Sequence, residues 1–158
     1  MFMKSQGTRR AAEWTPDLSV GIDIIDDDHK AFFELAVRLR RAIDEGTLDA
    51  DAAEGFLLVL DEYVQGHFLR EEKALSKGPW SEYQAHKRQH DQFKAQLRAL
   101  ARDYIQGVSG AIERLPELVE SWLAQHIRKV DARYGEWLKA GDVDTRPLGL
   151  LLAGRGLG

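Results

Sequence analysis

The chain has no cysteine among its 158 residues, which excludes disulfides, thiolate zinc sites and iron–sulfur clusters. It also lacks an apolar run long enough to span a bilayer. The longest near the C-terminus, Leu148 to Ala153, is interrupted by Gly149. The first thirteen residues are polar and basic around Arg9 and Arg10, and no apolar stretch follows them, so no secretory signal is expected. The expectation is a soluble, cytoplasmic protein with no membrane span. Positive charge is not in surplus either: 22 Lys and Arg face 26 Asp and Glu, a formal charge of −4, and no helix carries a basic stripe. Nothing therefore recommends nucleic acid as a partner. Strand alternation between hairpin turns and internal repeats are absent as well.

What is present is a hydrophobic fraction of 44% and a charged fraction of 30%, ordinary values for a globular chain, at a length that suits one domain. Four segments carry helical periodicity. The first runs from about Asp23 to Glu45, with Ile25, Phe32, Phe33, Ala36, Leu39 and Ile43 inward and Gly46 as its stop. Asp49 is a good N-cap for the second, which continues to about Ser76 on Phe56, Leu57, Leu60, Val64, Phe68 and Leu75, and is ended by Lys77-Gly78-Pro79. The third extends from Ser81, as cap, to Gln106, with Phe93, Leu97, Leu100, Tyr104 and Ile105 as its buried stripe and Gly107 as its stop. The fourth is regular from Pro116 and ends before Gly141, since proline is tolerated in a first helical turn. Long helices with short connections predict an all-α fold, an antiparallel up-down-up-down four-helix bundle over residues 14–140. Residues 1–13 form an N-terminal arm. Residues 141–158, rich in glycine, are expected to be a flexible tail whose Leu148-x-Leu150-Leu151-Leu152 offers a docking element for the bundle or a protein partner.

All five histidines fall into one pattern: His29, His67-x3-Glu71, His86-x3-His90 and His126-x4-Asp131. A four-residue step on an α-helix rotates by about 40°, so each such pair projects from one face. A lone histidine on an amphipathic helix is ordinarily a hydrogen-bonded boundary residue, and His29 by itself would be read so. The set is different because it is spread over all four helices and shares the stripes of Val64, Phe68, Phe93 and Leu97. Buried polar groups need compensating bonds, and imidazole with carboxylate suits transition metals such as iron. If two metals share two carboxylates and one solvent oxygen, five imidazoles divide as three and two. One six-coordinate metal is then saturated and the other keeps a vacancy for a small ligand. His126 and Asp131 do not fit this geometry, because five residues rotate by about 140°. Either Asp131 reaches in from the flank, or a π-bulge re-aims it; Asp91, Asp26 and Asp28 compete for the same role. Asp26, Asp27 and Asp28 otherwise read as an acidic first turn complementing the helix dipole.

These residues resemble the hemerythrins, specifically single-domain bacterial members. The resemblance covers about Trp14 to Leu138. It rests on Trp14-x3-Leu18-Ser19-Val20-Gly21 with Ile25-Asp26-x2-His29, His67-Phe68-x2-Glu71-Glu72, His86-Lys87-x2-His90-x2-Phe93, and Trp122-Leu123-x2-His126-Ile127-x3-Asp131-x2-Tyr134. It implies reversible dioxygen binding at a non-haem centre of two iron ions joined by an oxo or hydroxo bridge, without haem. It further implies His86, His90 and His126 on one iron, His29 and His67 on the iron with the vacancy, and Glu71 and Asp131 as the shared carboxylates. Trp122, Leu123 and Ile127 match the apolar lining of the oxygen pocket, and Phe68 and Tyr134 match aromatic residues packed around the irons. Ordinary core packing accounts for those five residues equally well.

The segment Leu75–Tyr83 departs from the common family pattern, as does Asp28, where glutamine is frequent; the latter bears on hydrogen bonding at the open iron. Carriage, storage or sensing of oxygen leads the functional expectations. A di-iron enzyme is the alternative, disfavoured because no Glu-x-x-His occurs here; iron buffering is another.

Overall fold

The computed structural model describes residues 13–134, 138 and 140–153. Four long helices pack as a helical bundle, and among the described residues there is no strand. A short 3-10 turn, Pro16–Leu18, leads into α1 (Asp23–Asp44); α2 spans Ala50–Leu75 and α3 spans Trp80–Ile105. A second 3-10 turn, Ile112–Arg114, precedes α4 (Leu115–His126), which passes through a π turn, Ile127–Asp131, into the short α5 (Ala132–Tyr134). The last helix, α6, is Leu148–Ala153.

The ends of these helices follow from local chemistry. Gly46 and Gly107 both adopt positive φ, where a Cβ would be strained, and both close Schellman motifs. Thr47 N–H reaches Ala42 O and Gly46 N–H reaches Ile43 O at the end of α1; Val108 to Asp103 and Gly107 to Tyr104 repeat the pattern at the end of α3. Asp49 caps α2 by accepting from Ala52 N–H at 2.8 Å. α3 begins one residue earlier than Ser81 because Pro79, with its fixed φ, supplies the extended N-cap conformation itself.

The core joins Ile25, Phe32, Phe33, Ala36 and Leu39 of α1 to Leu60, Val64 and Phe68 of α2, Phe93, Leu97 and Leu100 of α3, and Leu115, Val119 and Leu123 of α4. Ile105, expected in the α3 stripe, is instead 79% exposed, and it is the last residue of the helix. The fourth helix is likewise not one regular α-helix, since the π turn interrupts it at Ile127.

Within the segment expected to be a flexible tail, residues 141–153 lie against the bundle. α6 packs on α2, with Leu151 buried and Leu148 seated on Gly66. Space explains the seating: a Cβ added at Gly66 would stand 2.9 Å from the Cβ of Leu148. The expected N-terminal arm lies outside the described residues except for Glu13. No helix among the described residues is long and apolar enough to cross a membrane.

Candidate metal centre

Each of α1 to α4 contributes to one buried polar cluster. His29 comes from α1, His67 and Glu71 from α2, His86 and His90 from α3, and His126 from the end of α4. His29, His67, Glu71, His90 and Asp131 are 0% exposed. Asp131 closes the π turn, and its Oδ1 stands 3.0 Å from His126 Nε2. The wider winding of that turn places residues five apart on the same face, which an α-helix does for residues four apart. Of the two routes open to Asp131 from sequence, the bulge is the one the chain takes.

The two carboxylates divide the imidazoles into two groups. Glu71 Oε1 lies 3.2 Å from His67 Nε2 and 3.6 Å from His29 Nε2. Its Oε2 lies 3.2 Å from His86 Nε2 and 3.1 Å from His90 Nε2. Asp131 repeats the division, with Oδ2 at 3.3 Å from His29 and Oδ1 at 2.9 Å from His86 and 3.0 Å from His126. Taken together, one oxygen of each acid lies on the side of His29 and His67, and the other on the side of His86, His90 and His126.

Three imidazoles are oriented from behind. Since an ionised carboxylate or an amide oxygen only accepts, Nδ1 of each ring is the donor: His67 to Asp28 Oδ2 at 2.9 Å, His90 to Glu72 Oε1 at 2.9 Å, and His126 to Gln89 Oε1 at 3.0 Å. The Nε2 atoms are left facing the cluster. Tyr134 donates its hydroxyl to Glu71 Oε1 at 2.9 Å. Aromatic rings hold the imidazole planes. Phe68 stacks on His90 at 3.8 Å with an interplanar angle of 1°, and Trp122 stacks on His126 at 4.3 Å and 14°. Phe32 stands edge-on to His67 at 5.4 Å.

Burial disfavours protonating His67 and His86, but the nearby carboxylates of Glu71 and Asp28 outweigh it at His67, and those of Asp131 and Glu71 do so at His86; each pKa is pushed up to about 10. His29 is raised in the same way, against burial, by Asp131 and Glu71. At His126 burial wins and the pKa falls. Glu71 and Asp131 are held well below the usual carboxylate range although burial opposes it, chiefly by His67 for the first and His126 for the second. Burial and the neighbouring carboxylates drive the Tyr134 hydroxyl well up, which keeps it a proton donor.

Hydrogen bonding alone does not satisfy this arrangement. Both nitrogens of His29, Nε2 of His67 and of His90, and both carboxylate oxygens of Asp131 are buried without a hydrogen-bond partner. Nε2 of His86 and of His126 point at each other across 3.2 Å. Buried polar atoms left this way are costly, and cations would satisfy them; imidazole and carboxylate are the donor types that hold transition metals. One ligand atom each from Glu71, His86, His90 and His126 lies within 4.8 Å of the others, and the same is true of His29, His67 and Glu71. The residues present fit a metal.

The seven residues singled out as ligands from the sequence are therefore brought together. Leu123, Ile127, Phe68 and Tyr134 are buried, and Trp122 is half-buried with its ring contacts on His126, His90, Phe93 and Phe68. Asp26 does not act through the helix dipole alone: it accepts from Val20 N–H and Ser19 Oγ, fixing the entry to α1. Sequence reasoning missed the parts played by Glu72, Gln89, Arg70 and Phe32. Adjacency to Glu71 and His90 was a signal for the first two, and the three-residue step from His29 was one for Phe32.

A helical bundle whose buried centre is an imidazole and carboxylate cluster has the donor set of a cation-binding protein. Residues 20–138 match the family model described as the hemerythrin HHE cation binding domain, and the chain belongs to the hemerythrin family. It is 29% identical to the bacteriohemerythrin of Methylococcus capsulatus over 128 residues, covering 80% of this chain and 96% of that one. It is 32% identical to the bacteriohemerythrin of Pseudomonas aeruginosa over 121 residues, 77% of each chain. Hemerythrin subunit 1 of Golfingia vulgaris is 27% identical over 121 residues, 77% of this chain and 88% of that one.

Proposed function

We propose that this protein binds dioxygen reversibly at a non-haem di-iron centre held by His29, His67, Glu71, His86, His90, His126 and Asp131. The observation that carries this reading is the division made by the two acids: Glu71 sets one oxygen beside His29 and His67 and the other beside His86 and His90, while Asp131 sets one beside His29 and the other beside His86 and His126, so that two imidazoles fall on one side and three on the other. Two cations sharing both carboxylates would be ligated unequally, and the one on His29 and His67 would have a place for a small exogenous ligand. A ferrous pair, when bound, supplies the electrons that reversible capture of dioxygen requires.

The chain's own residues do the rest. Asp28, Glu72 and Gln89 fix three ring tautomers, so that Nε2 faces inward in each. Phe32, Phe68, Leu123 and Ile127 are buried about the cluster and keep water out. Tyr134 spends its proton on Glu71, which withholds it from any bound ligand. The helices are read as running alternately up and down, which the short connections at 45–49, 76–79 and 106–111 support.

Protein loaded anaerobically with ferrous iron is expected to develop visible charge-transfer bands on exposure to oxygen and to lose them under argon. Absence of the bands would overturn the reading, as would bands that persist under argon. A second expectation concerns the π turn. Deleting the exposed Lys129 shortens His126-x4-Asp131 to a four-residue step, which an α-helical turn aligns without a bulge. Iron content should therefore stay near that of the parent, whereas substituting Asp131 by alanine should lower it; metal analysis of both variants checks this.

A further inference from the structure

Arg70 is one of the largest fully buried side chains of the protein, only 1% exposed, and it stands one turn from His67 on α2. A buried guanidinium needs acceptors on most of its five donors. Its Nε donates to Asp28 Oδ2 at 2.9 Å, the same oxygen that accepts from His67 Nδ1 at 2.9 Å. Its Nη1 donates to two backbone carbonyls of the C-terminal segment, those of Asp144 and of Arg146, the second at 2.9 Å. Lys73 adds an ion pair to Asp144 at 2.9 Å, and Leu148 seats α6 on Gly66. The segment that carries those carbonyls is thus anchored on both sides of Arg70.

We propose that Arg70, held by the carbonyls of residues 144 and 146, is a positioning residue for the His67 half of the metal site, and that docking of the C-terminal segment sets how firmly that half retains its metal. This rests on the reading of His67 as a metal ligand. The path is continuous: carbonyls to guanidinium, guanidinium to Asp28, Asp28 to Nδ1 of His67, and Nε2 of His67 into the cluster. A carboxylate behind a ligating imidazole fixes its orientation and raises its basicity. Asp28 does so only while its own position is fixed, and the planar fork of arginine fixes it where a point charge would not. Segment 141–153, which the glycine pattern marked as an appendage, becomes part of the metal site at one remove.

Three variants test this in the full-length protein. Arg70→Gln removes the fork. Arg70→Lys keeps the charge but cannot span Asp28 and both carbonyls. Gly66→Ala leaves Arg70 in place and presses on Leu148, while alanine favours the α2 helix by about 0.5–1 kcal/mol over glycine. With ferrous iron alone as the ligand, Arg70→Gln should lose iron to a chelator about ten-fold faster than the parent. Its Mössbauer spectrum should change at one of the two iron sites and not at the other. Gly66→Ala should shift both readouts in the same direction, and Arg70→Lys should fall between Arg70→Gln and the parent. In the metal-free protein, the Nδ1 proton of His67, followed by NMR, should exchange with solvent faster in Arg70→Gln and Gly66→Ala.

A parent protein that takes up no iron would sink the di-iron reading itself. A parent that binds iron normally, with Gly66→Ala and Arg70→Gln unaltered in iron loss, Mössbauer spectrum and His67 proton exchange, would sink this proposal alone. So would a loss of melting stability in Arg70→Gln with those three readouts unmoved. If Arg70→Gln does not fold, Gly66→Ala decides by the same three readouts.

Discussion

Glu71→Ala is expected to reduce bound iron to less than one equivalent per chain, with affinity falling by more than about 100-fold, the upper range seen when only an outer partner of a ligand is removed. The size of the effect follows from position. Glu71 is fully buried at the middle of the cluster, with Oε1 beside His29 and His67 and Oε2 beside His86 and His90. Alanine therefore withdraws one ligand from both metal positions in a single step and also orphans the Tyr134 hydroxyl, which loses its acceptor. Glu71→Gln should be less severe, since it keeps the shape and one oxygen but surrenders the charge that offsets the cations. Metal analysis with the optical spectrum of anaerobically loaded protein checks both variants; parental iron content in Glu71→Ala would refute the shared-ligand assignment.

How much of this was legible in the sequence differs by residue, and the reasons are physical. His67-x3-Glu71 and His86-x3-His90 could be placed because an α-helix repeats every 3.6 residues and both pairs share a stripe with core residues. Asp131 could not be placed by that rule, because the π turn that aligns it with His126 has no counterpart in an α-helical period. The helix stops at Gly46 and Gly107 were legible because only glycine adopts their backbone conformation at no cost. Ile105 misled because periodicity marks a face and does not say how far along the helix that face stays covered. Arg70 was invisible for a different reason. Arginine is rarely buried, and its partners lie 42, 74 and 76 residues away, a distance at which one sequence carries no pattern. The same holds for residues 141–153, whose glycines suggest mobility while the gap at Gly66 that receives Leu148 belongs to another helix.

Phe68→Ala is expected to destabilise the metal-free protein by about 3–5 kcal/mol, the cost of emptying a well-packed aromatic site. Phe68 is 1% exposed and lies at the crossing of three helices, with ring centroids 6.0 Å from Phe93, 5.6 Å from Trp122 and 5.9 Å from His67. Its closest ring is His90, stacked at 3.8 Å and almost parallel. Truncation therefore removes hydrophobic burial and, with it, the stacked plane that helps keep His90 turned toward Glu71, leaving the Nδ1 bond to Glu72 and the edge and tilted ring contacts of His86, His126 and Trp122 to orient the imidazole. Denaturant unfolding of the metal-free variant measures the first effect as a lower midpoint at unchanged slope. The second should be felt on the three-histidine side, where His90 shares Glu71 Oε2 with His86. Phe68→Leu, which restores much of the volume without the ring face, separates the two: it should recover most of the stability and less of the iron retention. Equal recovery of both would mean that Phe68 serves the site through packing alone.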